Sequence, residues 1–184
     1  MEIEIDYQKY RWFFTSSGLL VIGGKSAVQN EEVIKLAKQD DVILHTSDPG
    51  SPFCVIKDEI EETNEDVREA AVFCASLSKA WKSKKQIAEV EIFRKNQVYK
   101  TKNMALGTFG IKGTVEKTKV ELKLYLDFQE GKLRAVPFET KVALITPGSL
   151  SKEKAAEAIS AKLEIPAAEV MSALPSEGIN IKWL

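Results

Sequence analysis

The sequence predicts an α+β protein in which a mixed or antiparallel sheet is packed by two helices and a smaller α+β lobe follows at the C-terminal end. Short apolar runs such as 19–22 and 42–44 recur between glycine, proline and asparagine turns, which is typical of buried strands. Over 67–81 apolar side chains recur every three or four positions, which predicts an amphipathic helix packed on the sheet. A chain of 184 residues with 44% hydrophobic and 29% charged residues has enough material for one sizeable core, with or without an appended lobe.

The N-terminal part of the chain predicts an edge strand, a buried strand, a glycine turn and a helix. Isoleucines alternate with acidic residues over 2–10, which indicates the edge strand. Gly23–Gly24 ends the buried strand 19–22, because glycine adopts backbone angles that a Cβ forbids. Asn30 is a favourable N-cap for a helix that begins at Glu31.

Lys25 follows the glycine turn directly, as a lysine does in phosphate-binding loops. The full spacing of a nucleotide-binding P-loop is missing, so we reject an NTPase and expect no cofactor. Backbone donors of the turn, together with Lys25, could still hold one phosphate of an RNA backbone. Two cysteines and one histidine do not provide the ligands of a zinc site, and we expect no metal.

His45, the only histidine of the chain, ends the strand 42–44 and invites a catalytic interpretation. Asp41 lies four residues earlier, but four strand residues span about 13 Å, which is too far for an acid–base pair. The candidate roles of His45 are therefore a structural one, a contact to RNA, and catalysis. The loop 46–52 follows and leads into a further apolar strand, 53–56.

Charge is distributed unevenly although the formal net charge is only -1. Residues 58–69 hold seven acids against one base, which predicts a solvated linker running into a helix capped by Thr63 or Asn64. Residues 76–117 hold ten bases against three acids, a balance of 10 − 3 = +7. Such an asymmetry is expected of a nucleic-acid-binding face, and a lysine-rich solvated surface is the alternative.

Beyond residue 115 the sequence predicts an accessory α+β lobe. Alternation over 120–126, a hairpin turn at 129–132 and the apolar run 142–145 indicate strands, and two helices and a last strand follow. We therefore divide the chain into 1–115 and 116–184, the second part being separate from the first sheet or continuous with it. No apolar run approaches the about 20 residues of a membrane span, and we expect a cytoplasmic protein without a membrane partner.

Several short motifs, in matching order and spacing, carry a resemblance to a known family. They are Trp12-Phe13, Gly23-Gly24-Lys25, Asn30-Glu31, Asp41 with His45, Gly50-Ser51, Ala80-Trp81-Lys82, Gln97-Val98, Lys100-Thr101, and Gly107, Phe109, Ile111 and Gly113. Over roughly 8–115 the chain resembles the RNA-binding domain of the NFACT family, which includes ribosome quality-control factors that handle peptidyl-tRNA on the large ribosomal subunit. The N-terminal and coiled-coil regions of the large members are not in this sequence, so we expect a stand-alone form.

The resemblance and the charge pattern together nominate the contacts to nucleic acid. The candidates for contacts to phosphate or base edges are Arg11, Lys25, Asn30, His45, Ser51, Lys82, Lys84, Lys85 and Lys100. The candidates for stacking on bases are Trp12, Phe13 and Tyr99, and a place in the core is the alternative for Trp12.

The leading hypothesis is a non-catalytic RNA-binding protein that contacts tRNA or rRNA in translation or ribosome quality control. An RNA-processing enzyme centred on His45 is the first alternative. A protein-interaction module that docks on the ribosome or self-associates through 116–184 is the second. DNA stays open as a ligand, and the sequence does not determine the oligomeric state.

Overall fold

The computed structural model describes residues 4–57 and 60–184, and within those ranges it contains five α-helices and twelve strands. Every strand pair in these ranges is antiparallel, so the predicted α+β class is confirmed. None of the helices in the two ranges is long and apolar enough to cross a membrane.

A six-stranded sheet forms the N-terminal half, in the order β1-β2-β4-β3-β5-β8. Its strands are β1 (Arg11–Phe14), β2 (Leu20–Gly23), β3 (Val42–Thr46), β4 (Cys54–Lys57), β5 (Ile87–Arg94) and β8 (Glu116–Glu121). A two-stranded ribbon joins β6 (Val98–Tyr99) to β7 (Gly110–Ile111). The helices of this N-terminal half are α1 (Ala27–Leu36), α2 (Asn64–Ser76) and the single turn α3 (Lys79–Lys82).

A four-stranded sheet, in the order β10-β9-β11-β12, forms the C-terminal half. Its elements are β9 (Leu124–Gln129), β10 (Lys132–Val136), β11 (Ala143–Leu150), α4 (Lys152–Leu163), α5 (Ala167–Ala173) and β12 (Ile179–Trp183). The boundary at residue 115 stays a prediction, because β8 lies beyond it and pairs with β5 in the first sheet.

Helix α2 lies in the larger of two hydrophobic cores, which contains residues of both sheets. Thr63 caps the helix, as predicted, and its hydroxyl and the Asp66 carboxylate form a reciprocal capping box. The acidic stretch 58–69, which runs into the helix, is not simply a solvated linker. Asp66 and Glu69 are buried, and they accept hydrogen bonds from Ser17 and Ser16 in the turn between β1 and β2. Asp58 and Glu59 of this stretch lie outside the described residues.

The opposite face of the first sheet carries the second core, built with α1 and side chains from the ribbon. The edge strand predicted over 2–10 is not formed in the described residues, where Tyr7–Lys9 makes a single 3₁₀ turn, and Ile3 lies outside them. The 3₁₀ turn brings the Tyr7 ring edge-on to Trp12, with ring centroids 5.1 Å apart. Aromatic packing therefore determines the conformation of this segment.

Hydrogen bonds fix the two sheets against one another along β1. The Gln129 side chain donates to the Phe14 carbonyl and accepts from the Phe14 amide, both at 2.8 Å, so it pairs with the strand edge. The Trp81 indole donates to the Gly178 carbonyl at 3.0 Å. Because these contacts satisfy backbone groups of both halves, the seam between the sheets is a defined interface.

Candidate nucleic-acid interface

The glycine turn after β2 leads into α1, which begins one turn earlier than predicted. Ser26 is the N-cap, and its hydroxyl accepts from the Gln29 amide at 3.2 Å. The prediction that Asn30 caps the helix is wrong, since Asn30 lies inside it. Its Oδ1 accepts instead from the Phe53 amide at 3.2 Å, and a Cβ at Gly24 would approach that oxygen to 2.2 Å. Glycine at position 24 therefore lets the turn pack directly on α1.

The loop between β3 and β4 closes over the N-terminal end of α1. The Ser51 hydroxyl accepts from the Thr46 amide at 2.9 Å and donates to the Pro52 carbonyl at 3.1 Å. Gly50 has a φ of +99°, a conformation that side chains rarely adopt, and its carbonyl accepts from the Lys79 amide at 2.9 Å. The loop thus connects the start of α3 to the glycine turn.

These segments enclose a cavity of about 270 Å³ that we name the Lys25 cavity. It is lined by Arg11, Gly24, Lys25, Ser26, Ala27, Asn30, Gly50, Ser51, Pro52 and Leu77. Four of the predicted contact residues therefore come together, from four different segments. The cavity opens at the N-terminal end of a ten-residue helix, where the helix dipole favours a negative charge.

The two cations of the Lys25 cavity form no ion pair within the described residues. Burial lowers the pKa of Arg11. Loss of solvent at the cavity lowers the pKa of Lys25, and the neighbouring Arg11 and Arg134 lower it further. Like charges held together in this way are energetically unfavourable, and an anion in the cavity would relieve the repulsion.

Further lysines lie on α3, whose Lys79 amide is bonded to the loop at Gly50, and directly after it. Lys82 and Lys84 are exposed and form no ion pair in the part of the chain that the structure describes, whereas Lys85 lies 3.2 Å from the Asp48 carboxylate. Lys84 has a φ of +57°, in the left-handed region. Lys79 was not among the predicted contacts, yet its side chain lies against Gly50 at the cavity wall. Only its position in the basic segment 76–117 pointed to it.

Lys100 is not presented to the cavity. Its ammonium donates to the Glu31 carboxylate at 2.6 Å and to the carbonyls of Ala105 and Thr108 at 2.6 and 2.7 Å. It also lies 4.8 Å from the centre of the Phe109 ring. These contacts hold the loop between β6 and β7 against α1, so Lys100 has a structural role.

Within the described residues no carboxylate is hydrogen-bonded to His45, and Glu91 is its cross-strand neighbour on β5. Its Nδ1 is 2.7 Å from the Thr46 carbonyl, and its ring packs on Phe53 with centroids 4.5 Å apart. Asp41 instead forms an ion pair with Lys57, at 2.7 Å. Burial lowers the pKa of His45, so the ring is neutral near pH 7. The residue is built into the wall of the second core.

Two of the three predicted stacking residues are inaccessible. Trp12 is 3% and Phe13 is 0% exposed, because neighbouring strand residues alternate between the two cores. The prediction that they stack on bases is therefore wrong. Tyr99 is 38% exposed on the ribbon, and Lys112 lies 5.5 Å from the centre of its ring.

A family model described as "NFACT protein RNA binding domain" matches residues 9–113, the region that contains the Lys25 cavity and α3. The chain is 35% identical to the archaeal Rqc2 homolog aRqcH of Methanocaldococcus jannaschii over 113 residues, covering 58% of this chain and 17% of that protein. It is 31% identical to the ribosome quality control complex subunit NEMF homolog of Drosophila melanogaster over 114 residues, covering 58% and 11%. The chain thus spans less than a fifth of the length of these relatives.

A solved structure supports the fold. The C-terminal part of the fibronectin/fibrinogen-binding protein from Streptococcus suis superimposes with a TM-score of 0.54 and 23% sequence identity. The match covers 65% of this chain and 47% of that one. At this identity the likeness concerns the fold alone.

Proposed function

This chain belongs to the NFACT protein RNA-binding domain family, and from that premise we propose that it binds RNA through the Lys25 cavity and the adjoining α3 lysines. The observation that carries the proposal is the convergence of Arg11, Lys25, Asn30 and Ser51 on one cavity at the start of α1. These residues come from four segments between positions 11 and 51, and all of them lie within the segment that the family model matches.

The contacts proposed are mainly to phosphate. Arg11 and Lys25 supply charge, Ser51 supplies a hydroxyl, and the start of α1 supplies a positive helix end. Lys79 and Lys82 on α3, with Lys84 directly after it, would follow the RNA backbone. Such contacts provide affinity that depends little on sequence and strongly on salt.

The ligand proposed is tRNA or rRNA in ribosome quality control in the cytoplasm, and the role proposed is non-catalytic. Support comes from the relatives, which are named as ribosome quality control factors and match the same region. His45 supports the same view, because its ring is packed and bonded to backbone. DNA presents the same phosphate chemistry as RNA, and competition with unlabelled DNA in the experiment below distinguishes the two ligands.

Filter binding tests the proposal. Labelled bulk tRNA and a fragment of rRNA are titrated with the protein between about 50 and 200 mM salt, where affinity carried by phosphate contacts falls steeply. We expect binding at low salt that weakens linearly on logarithmic axes, with unlabelled DNA of equal length competing less well. Absence of binding at low salt, or binding insensitive to salt, would contradict the proposal.

A further inference from the structure

Four basic side chains belong to the elements on the two sides of the seam between the sheets. Arg11 and Lys25 belong to the first sheet and its glycine turn, whereas Arg134 lies on β10 and Lys152 begins α4. The Arg134 guanidinium carbon is 4.5 Å from the centre of the Trp12 ring. Arg11 donates from Nη1 to the carbonyls of Ser172 and Leu174, at 3.3 and 3.1 Å. Arg11 and Arg134 are therefore each held against the other half of the molecule by direct contacts, and Lys25 lines the same cavity as Arg11.

Carboxylates do not neutralise this cluster. Within the described ranges none of the four cations forms an ion pair. Glu169 favours the charged form of Arg134, but its Oε1 accepts from the Leu133 amide at 2.8 Å. Glu153 favours the charged form of Lys152, the residue before it in the chain. Cations held together without an anion are costly, so the arrangement is incomplete as it stands.

Burial shifts the protonation equilibria of these cations most. Burial and then the charge of Arg11 lower the pKa of Lys152 to about 8, against an opposing effect of Glu153 that exceeds the lowering by Lys25. Burial and Arg11 lower the pKa of Arg134 to about 10. A bound anion would raise both values, because it favours the charged forms.

Both guanidinium groups have N–H donors that make no hydrogen bond within the described residues. Arg134 is only 5% exposed, and its Nε donates to the Leu133 carbonyl at 2.7 Å. Its two Nη atoms, and Nη2 of Arg11, have no hydrogen-bond partner among the described residues. A planar fork of N–H donors matches two oxygens of a phosphate, which a hydrated lysine ammonium alone does not do.

We propose that Arg11, Lys25, Arg134 and Lys152 form a single phosphate-binding site shared by the two sheets. That the site would bind phosphate is argued from this geometry. That the phosphate belongs to an RNA bound at the Lys25 cavity rests on the function proposed above. Residues 134 and 152 lie outside the segment 9–113 that the family model matches. The site therefore assigns a binding role to the C-terminal half.

The first test uses inorganic phosphate alone. The Cε resonances of the lysines are followed by NMR in the wild-type protein during a phosphate titration, and again during a pH titration at saturating phosphate. We expect a saturable shift of the Lys152 resonance and a rise in its pKa, while exposed Lys154, on the same helix turn, shows neither. A Lys152 resonance that shows no saturable change would overturn the shared site.

The second test measures RNA affinity in Lys152→Gln, with Lys154→Gln as the matched control. Loss of one phosphate contact should weaken binding about five- to eight-fold at 0.1 M salt and lower the salt slope by about 0.7 to 0.9. If Lys25→Gln weakens RNA binding and Lys152→Gln does not, the shared site is wrong and the proposed function stands. If phosphate saturates Lys152 but no RNA binds, the proposed function is wrong and the site stands.

Comparison of one RNA carrying a 5′-phosphate or a 5′-hydroxyl identifies the source of the phosphate. Tighter binding of the phosphorylated form, lost in Lys152→Gln, assigns the site to a terminal phosphate. Equal binding of the two forms, weakened alike in Lys152→Gln, assigns it to an internal phosphate. If the two forms bind equally and Lys152→Gln changes neither affinity, the proposal is overturned.

Discussion

Replacement of Lys25 by glutamine should remove one phosphate contact while leaving the fold intact. Lys25 is exposed, forms no ion pair within the described residues, and uses only its backbone amide in the turn, which donates to the Gln29 side chain at 2.9 Å. Each phosphate neutralised contributes about 0.7 to the logarithmic salt slope on single strands and about 0.9 on duplexes. The loss of one contact then corresponds to about a five- to eight-fold weaker affinity at 0.1 M salt.

The assay is fluorescence anisotropy of a labelled tRNA over a salt series, with Lys35→Gln as the control. Lys35 is an exposed lysine in the last turn of the same helix, so the control changes the same charge at the opposite end of α1. Thermal unfolding of both variants checks that the fold is retained. We expect the slope to fall in Lys25→Gln and to change much less in Lys35→Gln.

Equal losses of affinity in the two variants would refute the reasoning, because they would show that RNA responds to overall charge rather than to the cavity. An unchanged slope in Lys25→Gln would remove the cavity from the interface altogether. In the second case other cations, such as the exposed Lys82, would have to carry the binding, and Lys82→Gln would test that directly.

Three further predictions concern residues around the interface and beneath it. Lys84→Gly should stabilise the fold by up to about 1 kcal/mol in urea unfolding, because Lys84 has a φ of +57°. The same change should weaken RNA binding, and a loss of both stability and affinity would contradict this view. His45→Ala should lower the free energy of unfolding, since the ring packs on Phe53. Neither the wild-type protein nor this variant should cleave RNA. If the wild-type protein cleaves RNA and the variant does not, the catalytic alternative is restored. Asp66 is desolvated, which would raise its pKa, but hydrogen bonds from Ser17, Thr15 and Thr63 outweigh this and hold the pKa at about 2, below its ordinary 3.8. The unfolded chain therefore binds more protons between these values, and about 2 kcal/mol of stability, present above pH about 4, should be lost as the pH falls toward 2. Asp66→Asn should flatten that dependence in acid titrations of unfolding, and an unchanged profile would contradict the assignment.

The sequence was sufficient for the local structure and for the family. Period-two and period-three-to-four patterns report which side chains face a core, and they correctly predicted the amphipathic helix α2 and a strand at 42–44. That strand continues through His45 to Thr46, and Thr63, one of two predicted caps, caps the helix. The start of α1 was missed because Asn30 has the side chain of a good N-cap. Ser26 takes that position because Asn30 bonds to Phe53, a contact with a distant loop.

The candidate site depended on contacts between residues far apart in the chain. Lysines of the same basic segment differ in their contacts. Lys100 is bound by Glu31 and two carbonyls, whereas Lys82 forms no ion pair in the described residues. The composition gives the number of charged residues, but it does not show which carboxylate or carbonyl contacts each lysine in the folded protein. Trp12 was a candidate for stacking until strand pairing placed it inside a core.

By itself, then, the amino-acid order determined the α+β class, the family and the presence of a strongly basic segment, because these follow from residue types and short spacings. Only the tertiary structure decided which cations gather. Arg11 reaches the carbonyls of Ser172 and Leu174, and Arg134 reaches the Trp12 ring, because two sheets pack along β1. No local pattern records an approach between residues more than 100 positions apart.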